Sequence, residues 1–168
     1  LAYAGLQKNV GTAGACLVIL NRDWLAEQRD GLLSMMSFDV HVQARSMFNT
    51  PPVIAVAFAW ASLHYLAERG GIEVVAKENE QKARLIYDAI DNHPYFNCPI
   101  DPSHRSRMNV VFDAVDKETE RRFLKECEEQ GFIGLKGHRS RGGLRASIYN
   151  SMPLETVEEF VAVLKAFA

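Results

Sequence analysis

The sequence has few cysteines and no apolar run long enough to cross a bilayer. Cys16, Cys98 and Cys127 are scattered over 168 residues without a CxxC spacing. An odd, unpatterned set of this kind is typical of reduced thiols in a cytoplasmic protein. The longest largely apolar stretch, residues 52–63, is shorter than the ~20 residues that a membrane span needs. We therefore expect neither a disulfide framework nor a membrane anchor.

An excess of charge of one sign and metal-binding spacings are also lacking. The formal net charge is only −2, which gives no electrostatic reason to expect nucleic acid or an acidic membrane as a partner. The histidines form neither HxxxH nor HExxH, so no metal site is predicted. The first residues lack the basic and apolar segments of a secretory signal. They also lack a starting methionine, so we expect the sequence to belong to a longer chain.

What is present is an ordinary globular composition, with 48% apolar and 24% charged residues. Short β-branched or alternating runs predict strands at 15–20, 108–115 and 144–149. The first strand is expected to be buried, which would place Cys16 in the core. Gly70-Gly71 interrupts the helical pattern and predicts a boundary between domains at 1–70 and 71–168.

Five helices are predicted around these strands. Their expected ranges are 22–29, N-capped by Asn21, then 50–68, 72–91, 117–130 and 154–167. The third has Leu85, Ile86 and Ile90 on one face, the fourth starts after Asp116, and Pro94 and Pro99 mark a loop between them. The second of them should be N-capped by Thr50 and is apolar on nearly all faces, which predicts deep burial. The strand–helix–strand–helix order after residue 100 predicts a small α/β sandwich.

The most informative segment is the lysine loop, residues 3–14, which precedes the first strand. Lys8 lies between Gln7 and Asn9, and glycines punctuate the loop on both sides. Glycine lets the backbone approach a ligand closely, and a lysine withdrawn from water becomes a nucleophile. The pattern suits an amine that reacts with a carbonyl group, and it equally suits ordinary exposed turn residues.

A second candidate site is the predicted helix start at Asn49-Thr50-Pro51-Pro52. The free N–H groups and the positive dipole end of a helix favour a phosphate. The Thr50 hydroxyl and the Asn49 amide would add two donors. An ordinary N-cap explains the same residues and is compatible with phosphate binding.

The third candidate is the basic loop, residues 136–145. It contains no carboxylate, and its cationic or titratable side chains are Lys136, His138, Arg139, Arg141 and Arg145. Closely spaced like charges repel unless an anion joins them, which a substrate bearing a carboxylate and a phosphate would supply. A solvated loop and a nucleic-acid patch are the alternatives. Arg141 is expected to face solvent, and Arg45, Arg105 and Arg107 have no predicted role.

Residues 1–20, 46–52 and 137–150 together resemble the phosphoserine aminotransferase family. These are pyridoxal-phosphate enzymes of class V with the α/β architecture of fold type I. The resemblance implies that residues 1–70 complete the large cofactor domain and that 71–168 form most of a small C-terminal α/β sandwich domain. It also implies that the first half of the enzyme precedes this sequence.

The same resemblance assigns the cofactor site. It implies that Lys8 forms the Schiff base with pyridoxal 5'-phosphate and that Gln7 hydrogen-bonds the cofactor phosphate. Asn49 and Thr50 would reach the cofactor phosphate of the neighbouring subunit, which implies a homodimer with shared active sites.

For the substrate, the resemblance implies that Arg145 binds the α-carboxylate and that His138 and Arg139 bind the phosphate. The implied reaction is amino transfer between glutamate and 3-phosphohydroxypyruvate, which gives phosphoserine and 2-oxoglutarate in serine biosynthesis. The family also serves pyridoxal phosphate synthesis through 4-phosphohydroxythreonine. The small-molecule substrates imply no nucleic-acid partner.

An acidic residue for the pyridine nitrogen and a further substrate arginine are expected outside these 168 residues, so this segment alone should be inactive. Two other functions stay open. One is another class V enzyme, such as a cysteine desulfurase, for which Cys98 is the candidate nucleophile, or an alanine–glyoxylate aminotransferase. The other is a non-enzymatic module that binds anions through the basic loop.

Overall fold

The computed structural model describes residues 1–27 and 31–168, which form two compact units, Leu1–Glu68 and Arg69–Ala168. The assignment of residues 1–70 to a large cofactor domain and of 71–168 to a small domain stays a prediction. No helix within the described residues is both long and apolar enough to cross a membrane.

The first unit begins with a two-stranded antiparallel sheet. Strand β1, Ala2–Gly5, pairs with β2, Cys16–Ile19, so that Gly5 lies opposite Cys16. The predicted strand at 15–20 is therefore confirmed, but its predicted burial is wrong. Both strands are exposed along their whole length, and Cys16 lies outside the core. Because the sheet has only two strands, much of its apolar surface stays accessible within this unit.

The described residues of the first unit also form three α-helices and a 3₁₀ helix. They are α1, Arg22–Ala26, a 3₁₀ helix at Ser34–Met36, α2, Phe38–Gln43, and α3, Val53–Glu68. The predicted cap of α1 is confirmed, since Asn21 Oδ1 accepts the backbone N–H of Asp23 at 2.7 Å and of Trp24 at 3.1 Å. The predicted end of this helix, at Arg29, lies outside the described residues.

Helix α3 differs from its prediction at its start and in its burial. It begins at Val53, so Thr50 is not its N-cap. A residue before proline avoids the α conformation, and two consecutive prolines at 51 and 52 delay the helix accordingly. The predicted deep burial is also wrong, because only Ala55 and Ala59 are buried, whereas Trp60 is 68% exposed. Within the described part of this unit, only one stripe of the helix is fully covered.

The second unit is an antiparallel sheet packed with helices. Its elements are α4, Gly71–Asp91, β3, Phe96–Asn97, a 3₁₀ helix at Pro102–His104, β4, Asn109–Ala114, α5, Lys117–Glu129, β5, Leu144–Ser147, and α6, Leu154–Ala166. The strands lie in the order β3-β4-β5. The predicted α/β order after residue 100 is confirmed, whereas the short strand β3, which lies in a segment predicted to be a loop between two prolines, was missed.

The core of the second unit holds β4 and β5 in place. Ile86 and Ile90 of α4, which the sequence predicts on one apolar face, have no exposed surface. Phe112 of β4 is likewise fully buried and packs edge-on against Phe123 of α5 with ring centroids 6.2 Å apart. Such burial stabilises each large side chain by about 1.5–3 kcal/mol. The strand pair that carries the end of the basic loop is thus anchored in the core.

Candidate functional site

The lysine loop is a closed turn that holds Lys8 in an unusual backbone conformation. Lys8 has φ +84°, in the left-handed region, and is exposed. The Leu6 carbonyl accepts the N–H groups of Val10 at 3.2 Å and of Gly11 at 2.7 Å. A left-handed conformation costs a non-glycine residue about 1–3 kcal/mol and persists only where surrounding contacts enforce it. The loop therefore fixes the position from which the lysine side chain starts.

Glycines in the lysine loop leave room for close contacts. The Gln7 side chain folds over Gly5, where a Cβ would lie 2.7 Å from Gln7 Nε2. A Cβ on Gly11 would lie 3.1 Å from the backbone nitrogen of Ala59, and one on Gly14 would lie 3.7 Å from the Ala55 Cβ. Ala55 and Ala59 are one turn apart on α3 and form its buried stripe. The lysine loop is thus seated on α3 through its glycines.

An open cleft of about 900 Å³ in the first unit is lined by Asn49 and Thr50. Leu6 and Gly14 of the lysine loop line the same cleft, whereas Gln7 and Lys8 are not among its described lining residues. Asn49 and Thr50 therefore share a cleft with Leu6 and Gly14 of the lysine loop, and Gln7 and Lys8 are not among the described residues that line it.

The same cleft contains a cation that the sequence left without a role. Arg45 lines it, and Arg45 and Ser46 have consecutive positive φ values of 49° and 66°. The Asn49 amide Nδ2 lies 3.1 Å from Met35 Sδ. The only sequence signal for Arg45 was its place four residues before Asn49.

In the second unit, the basic loop is the turn of a tight hairpin. The Gly137 N–H donates to the Gly143 carbonyl and the Arg145 N–H to the Leu135 carbonyl, both at 2.7 Å. The His138 carbonyl closes the turn by accepting the N–H groups of Arg141 and Gly142 at 2.9 and 2.8 Å. Gly143 is buried and has φ +67°. The turn has therefore one defined backbone path.

His138 and Arg139 are both exposed at the tip of this turn. The backbone N–H of Ser140 reaches His138 Nδ1 at 3.3 Å, and the Ser140 hydroxyl lies 2.7 Å from the same nitrogen. Because a backbone N–H can only donate, Nδ1 accepts, and the neutral ring carries its proton on Nε2. Arg139 has no ion pair among the described residues. Both side chains offer donors to an anion.

Arg141 is held by a carboxylate from a neighbouring strand. Its Nη1 and Nη2 donate to the Asp113 oxygens at 3.0 and 2.7 Å, and this hydrogen bonding holds the pKa of Arg141 above its ordinary value. Arg141 is exposed, as predicted, but its guanidinium is paired with Asp113 rather than free in solvent. The sequence also suggested a loop without a carboxylate, and β4 supplies one from outside the loop. Predicting this contact required the register of β4 against β5, in which Val111 lies opposite Arg145.

Arg145 on β5 carries a buried donor that is not satisfied within the described residues. Its Nε has no hydrogen-bond partner there, and Arg145 lines a cleft of about 250 Å³ together with Ser147 and Thr156. A buried donor without a partner costs about 1–3 kcal/mol. Because Arg145 lines this cleft, its guanidinium is a candidate ligand for an oxyanion there.

Two further charged side chains were missed by the sequence. Arg105 donates to both oxygens of Asp91, at 2.6 and 2.8 Å, and lies 4.7 Å from the centre of the Tyr87 ring. Burial raises the pKa of Tyr87 to about 12. Lys82 is 2% exposed, and its Nζ donates to the carbonyls of Tyr149 and Met152, each at 3.1 Å.

Burial lowers the pKa of Lys82. The contacts of Lys82 tie the segment after β5 to α4. Neither arginine–aspartate pairing nor lysine burial has a local sequence signal, since the partners lie far apart in the chain.

The cysteines and the acidic residues indicate no other site. All three cysteines are free, and burial raises the pKa of Cys127 to about 12. Cys98 is half-buried, with its Sγ 3.9 Å from the Ile100 carbonyl. Residues 1–27 and 31–168 contain no group of three or more His, Cys, Asp or Glu side chains that could hold a metal ion.

Comparison with known proteins gives a consistent result over the whole chain. Residues 1–160 match the family described as aminotransferase class-V. The phosphoserine aminotransferase of Listeria monocytogenes is 46% identical over 168 residues, which are 100% of this chain and 46% of that protein.

Solved structures agree with this match. The phosphoserine aminotransferase from Bacillus circulans subsp. alkalophilus superimposes with a TM-score of 0.93 at 44% identity, over 98% of this chain and 46% of that one. A PLP-bound phosphoserine aminotransferase from Trichomonas vaginalis gives a TM-score of 0.90 at 36% identity, over 97% and 47% of the respective chains. The chain thus spans about half the length of the relatives that it matches.

Proposed function

Because the chain belongs to the class-V aminotransferase family, we propose that the protein carrying it is a phosphoserine aminotransferase. The reaction is amino transfer between glutamate and 3-phosphohydroxypyruvate, which gives phosphoserine and 2-oxoglutarate. Relatives of this name at 44–46% identity support the proposal. The function places the protein in serine biosynthesis, and 4-phosphohydroxythreonine, which has the same two anionic groups, is a second substrate.

The observation that carries the proposal is the pair of anion sites in one hairpin. Arg145 offers a buried Nε without a partner among the described residues, which suits a planar carboxylate bound through charge-assisted hydrogen bonds. His138 and Arg139 offer exposed donors at the tip, which suit a phosphate. A substrate with a carboxylate at one end and a phosphate at the other uses both.

The residues of the first unit fit pyridoxal 5'-phosphate. Lys8 presents a primary amine for an aldehyde, and Asn49 and Thr50 line a cleft with donors for a phosphate. When bound, this cofactor supplies an electron sink that stabilises negative charge at the substrate α-carbon. The Nζ of Lys8 would accept the proton released at that carbon and would donate it again later in the reaction. Gln7 donates to the cofactor phosphate and helps to fix its orientation.

We also propose a homodimer in which Asn49 and Thr50 serve the active site of the partner subunit. Asn49 and Thr50 line an open cleft with donors for a phosphate, which supports their role as phosphate ligands. The three free cysteines support a cytoplasmic location, because thiols persist in a reducing compartment.

The test uses the full-length protein and compares phosphoserine with unphosphorylated serine and with cysteine as amino donors. We expect turnover of phosphoserine with 2-oxoglutarate, and we expect Arg139→Ala to raise KM for phosphoserine by about 10–100-fold, because one charge-assisted contact is lost. KM for serine should change little, since serine lacks the phosphate. Preferential turnover of cysteine would indicate a desulfurase, and binding of anions without turnover of any donor would indicate a non-enzymatic module.

A further inference from the structure

The Asp113–Arg141 ion pair joins the tip of the basic loop to the middle of the sheet. Asp113 belongs to β4, whose neighbour Phe112 is fully buried in the core. Arg141 lies two residues from Arg139 at the tip. Because both guanidinium nitrogens are engaged, the pair fixes the orientation of Arg141 as well as its position.

The backbone around this pair is tightly packed. A Cβ on Gly143 would lie 2.8 Å from Arg141 Nη1 and 3.0 Å from the Phe112 carbonyl. A Cβ on Gly137, across the hairpin, would lie 2.7 Å from the Gly143 carbonyl. The two glycines thus allow the hairpin to pack closely against Asp113. The ion pair holds Arg141, and the hydrogen bonds to the His138 carbonyl close the turn.

We propose that Asp113 and Arg141 form a clasp that positions His138 and Arg139 for the phosphate of the substrate. This inference rests on the proposed function and adds a positioning role for two residues that do not touch the substrate. Arg141 Nη1 and Nη2 donate to Asp113, so the proposal gives Arg141 a positioning role and not a contact with the phosphate. The clasp therefore sets the preference for a phosphorylated substrate through the geometry of its two neighbours.

The Asp113–Arg141 pair is expected to contribute little to the free energy of unfolding. The Arg141 and Asp113 side chains are 35% and 36% exposed, and ion pairs this accessible to water contribute little to global stability. Placement of the phosphate ligands is more sensitive, because donors must lie within hydrogen-bonding distance of the anion. Loss of the clasp should thus appear in substrate binding before it appears in unfolding.

The experiment uses Arg141→Leu and Asp113→Asn in the full-length holoenzyme. We expect each to raise KM for phosphoserine by about tenfold, with kcat and the kinetics of serine changed by less than about twofold. The double variant should be no worse than either single one, because residues that act through each other are not additive.

The matched control is Asp91→Asn. It breaks the Arg105–Asp91 pair, which has the same two-pronged geometry at 2.6 and 2.8 Å but joins α4 to the segment after the second 3₁₀ helix. We expect KM for phosphoserine in this variant to stay within about twofold of the wild type. An effect as large as that of Asp113→Asn would mean that any lost ion pair of this unit perturbs binding, and the proposal would be wrong.

Three other results overturn the clasp. A fall in KM for phosphoserine with Asp113→Asn would mean that the released Arg141 binds the phosphate. Unchanged KM in both clasp variants would mean that the pair has no positioning role. Additive effects in the double variant would mean that the two residues act independently. If the wild type does not turn over phosphoserine, the proposed function fails, and amide hydrogen exchange at 138–142 with titration of inorganic phosphate decides the clasp separately. Faster exchange and weaker phosphate binding in Arg141→Leu, but not in Asp91→Asn, support it, and equal behaviour rejects it.

Discussion

Gly11 of the lysine loop lies against Ala59 of α3, where a Cβ would come within 3.1 Å of the Ala59 backbone nitrogen and 3.3 Å of its Cα. The contact is with backbone, which cannot rotate away as a side chain can. The Ala59 Cβ lies 3.5 Å from the same point, so a larger side chain at position 59 would press on the loop that carries Lys8.

Enlarging this contact should displace the lysine loop. We expect Ala59→Leu in the full-length enzyme to lower kcat by about tenfold or more, because overpacking of about 1–3 kcal/mol is relieved by moving the loop. Steady-state kinetics with phosphoserine measure the effect. Ala59→Gly is the control at the same position: it costs about 1 kcal/mol of helix propensity without filling the contact. If both variants lose kcat equally, helix stability and not loop position is responsible.

Lys8 should be the lysine that carries the cofactor. Reduction of the holoenzyme with borohydride followed by peptide mapping should place the cofactor mass on the peptide with Lys8. Lys8→Ala should lower kcat by about 10²–10⁴-fold, the range of a lost general acid–base group. Lys77→Ala, at an exposed position of α4, is the control and should retain both label and activity. A label on any other lysine would contradict the assignment.

Shared active sites predict complementation between two inactive variants. If Lys8 of one subunit works with Asn49 and Thr50 of the other, a dimer of Lys8→Ala with Asn49→Ala/Thr50→Ala has one intact site. Random mixing after dissociation should therefore restore about a quarter of wild-type activity, because half of the dimers are mixed and each has one active site. No recovery in dimers shown by mass to be mixed would mean that each subunit builds its own site.

Lys82 should make stability depend on pH at the alkaline end. Its pKa in the folded state lies below the ordinary lysine value of 10.5 because of burial. The unfolded chain therefore binds more protons as pH rises from the folded pKa towards 10.5, and the free energy of unfolding contributed by Lys82 rises over that window. Denaturation of the wild type and of Lys82→Met between pH 7 and 10 should show their difference shifting in favour of the wild type. A difference that stays flat across this range would show that the ammonium is buried without penalty.

Local patterns predicted the second unit better than the first. The predicted start of α5 after Asp116 is confirmed, and Asp116 Oδ1 caps the helix by accepting the Thr119 N–H at 2.7 Å. Such a cap depends only on residues three apart. The apolar face of α4 followed from helical periodicity for the same reason. In the first unit, apolar runs at β2 and α3 predicted burial, but a run does not specify which atoms cover it. Of the residues of β2 and α3, only Ala55 and Ala59 are buried.

In the candidate site, too, features formed by contiguous residues were predicted from the sequence, whereas a contact between distant residues was not. The lysine loop, the Asn49–Thr50 pair and the basic loop were each predicted from contiguous residues. The partner of Arg141 was not, since Asp113 lies 28 positions away and meets it only once β4 and β5 are in register. The error at Thr50 had a local cause, because each proline restricts the residue before it.

The pairing of Val111 with Arg145 links the placement of a proposed substrate ligand to the hydrophobic interior. Leu144 and Ala146 on either side of Arg145 are buried, and successive residues of a strand face opposite ways. A shift of β5 by one residue would place the Arg145 guanidinium on the buried face, beside Phe112 and Phe123, and would expose Leu144 to water. The packing of these apolar side chains thus determines where the Arg145 guanidinium lies, so, with the role proposed for Arg145, mutations confined to that interior should change how the substrate is bound.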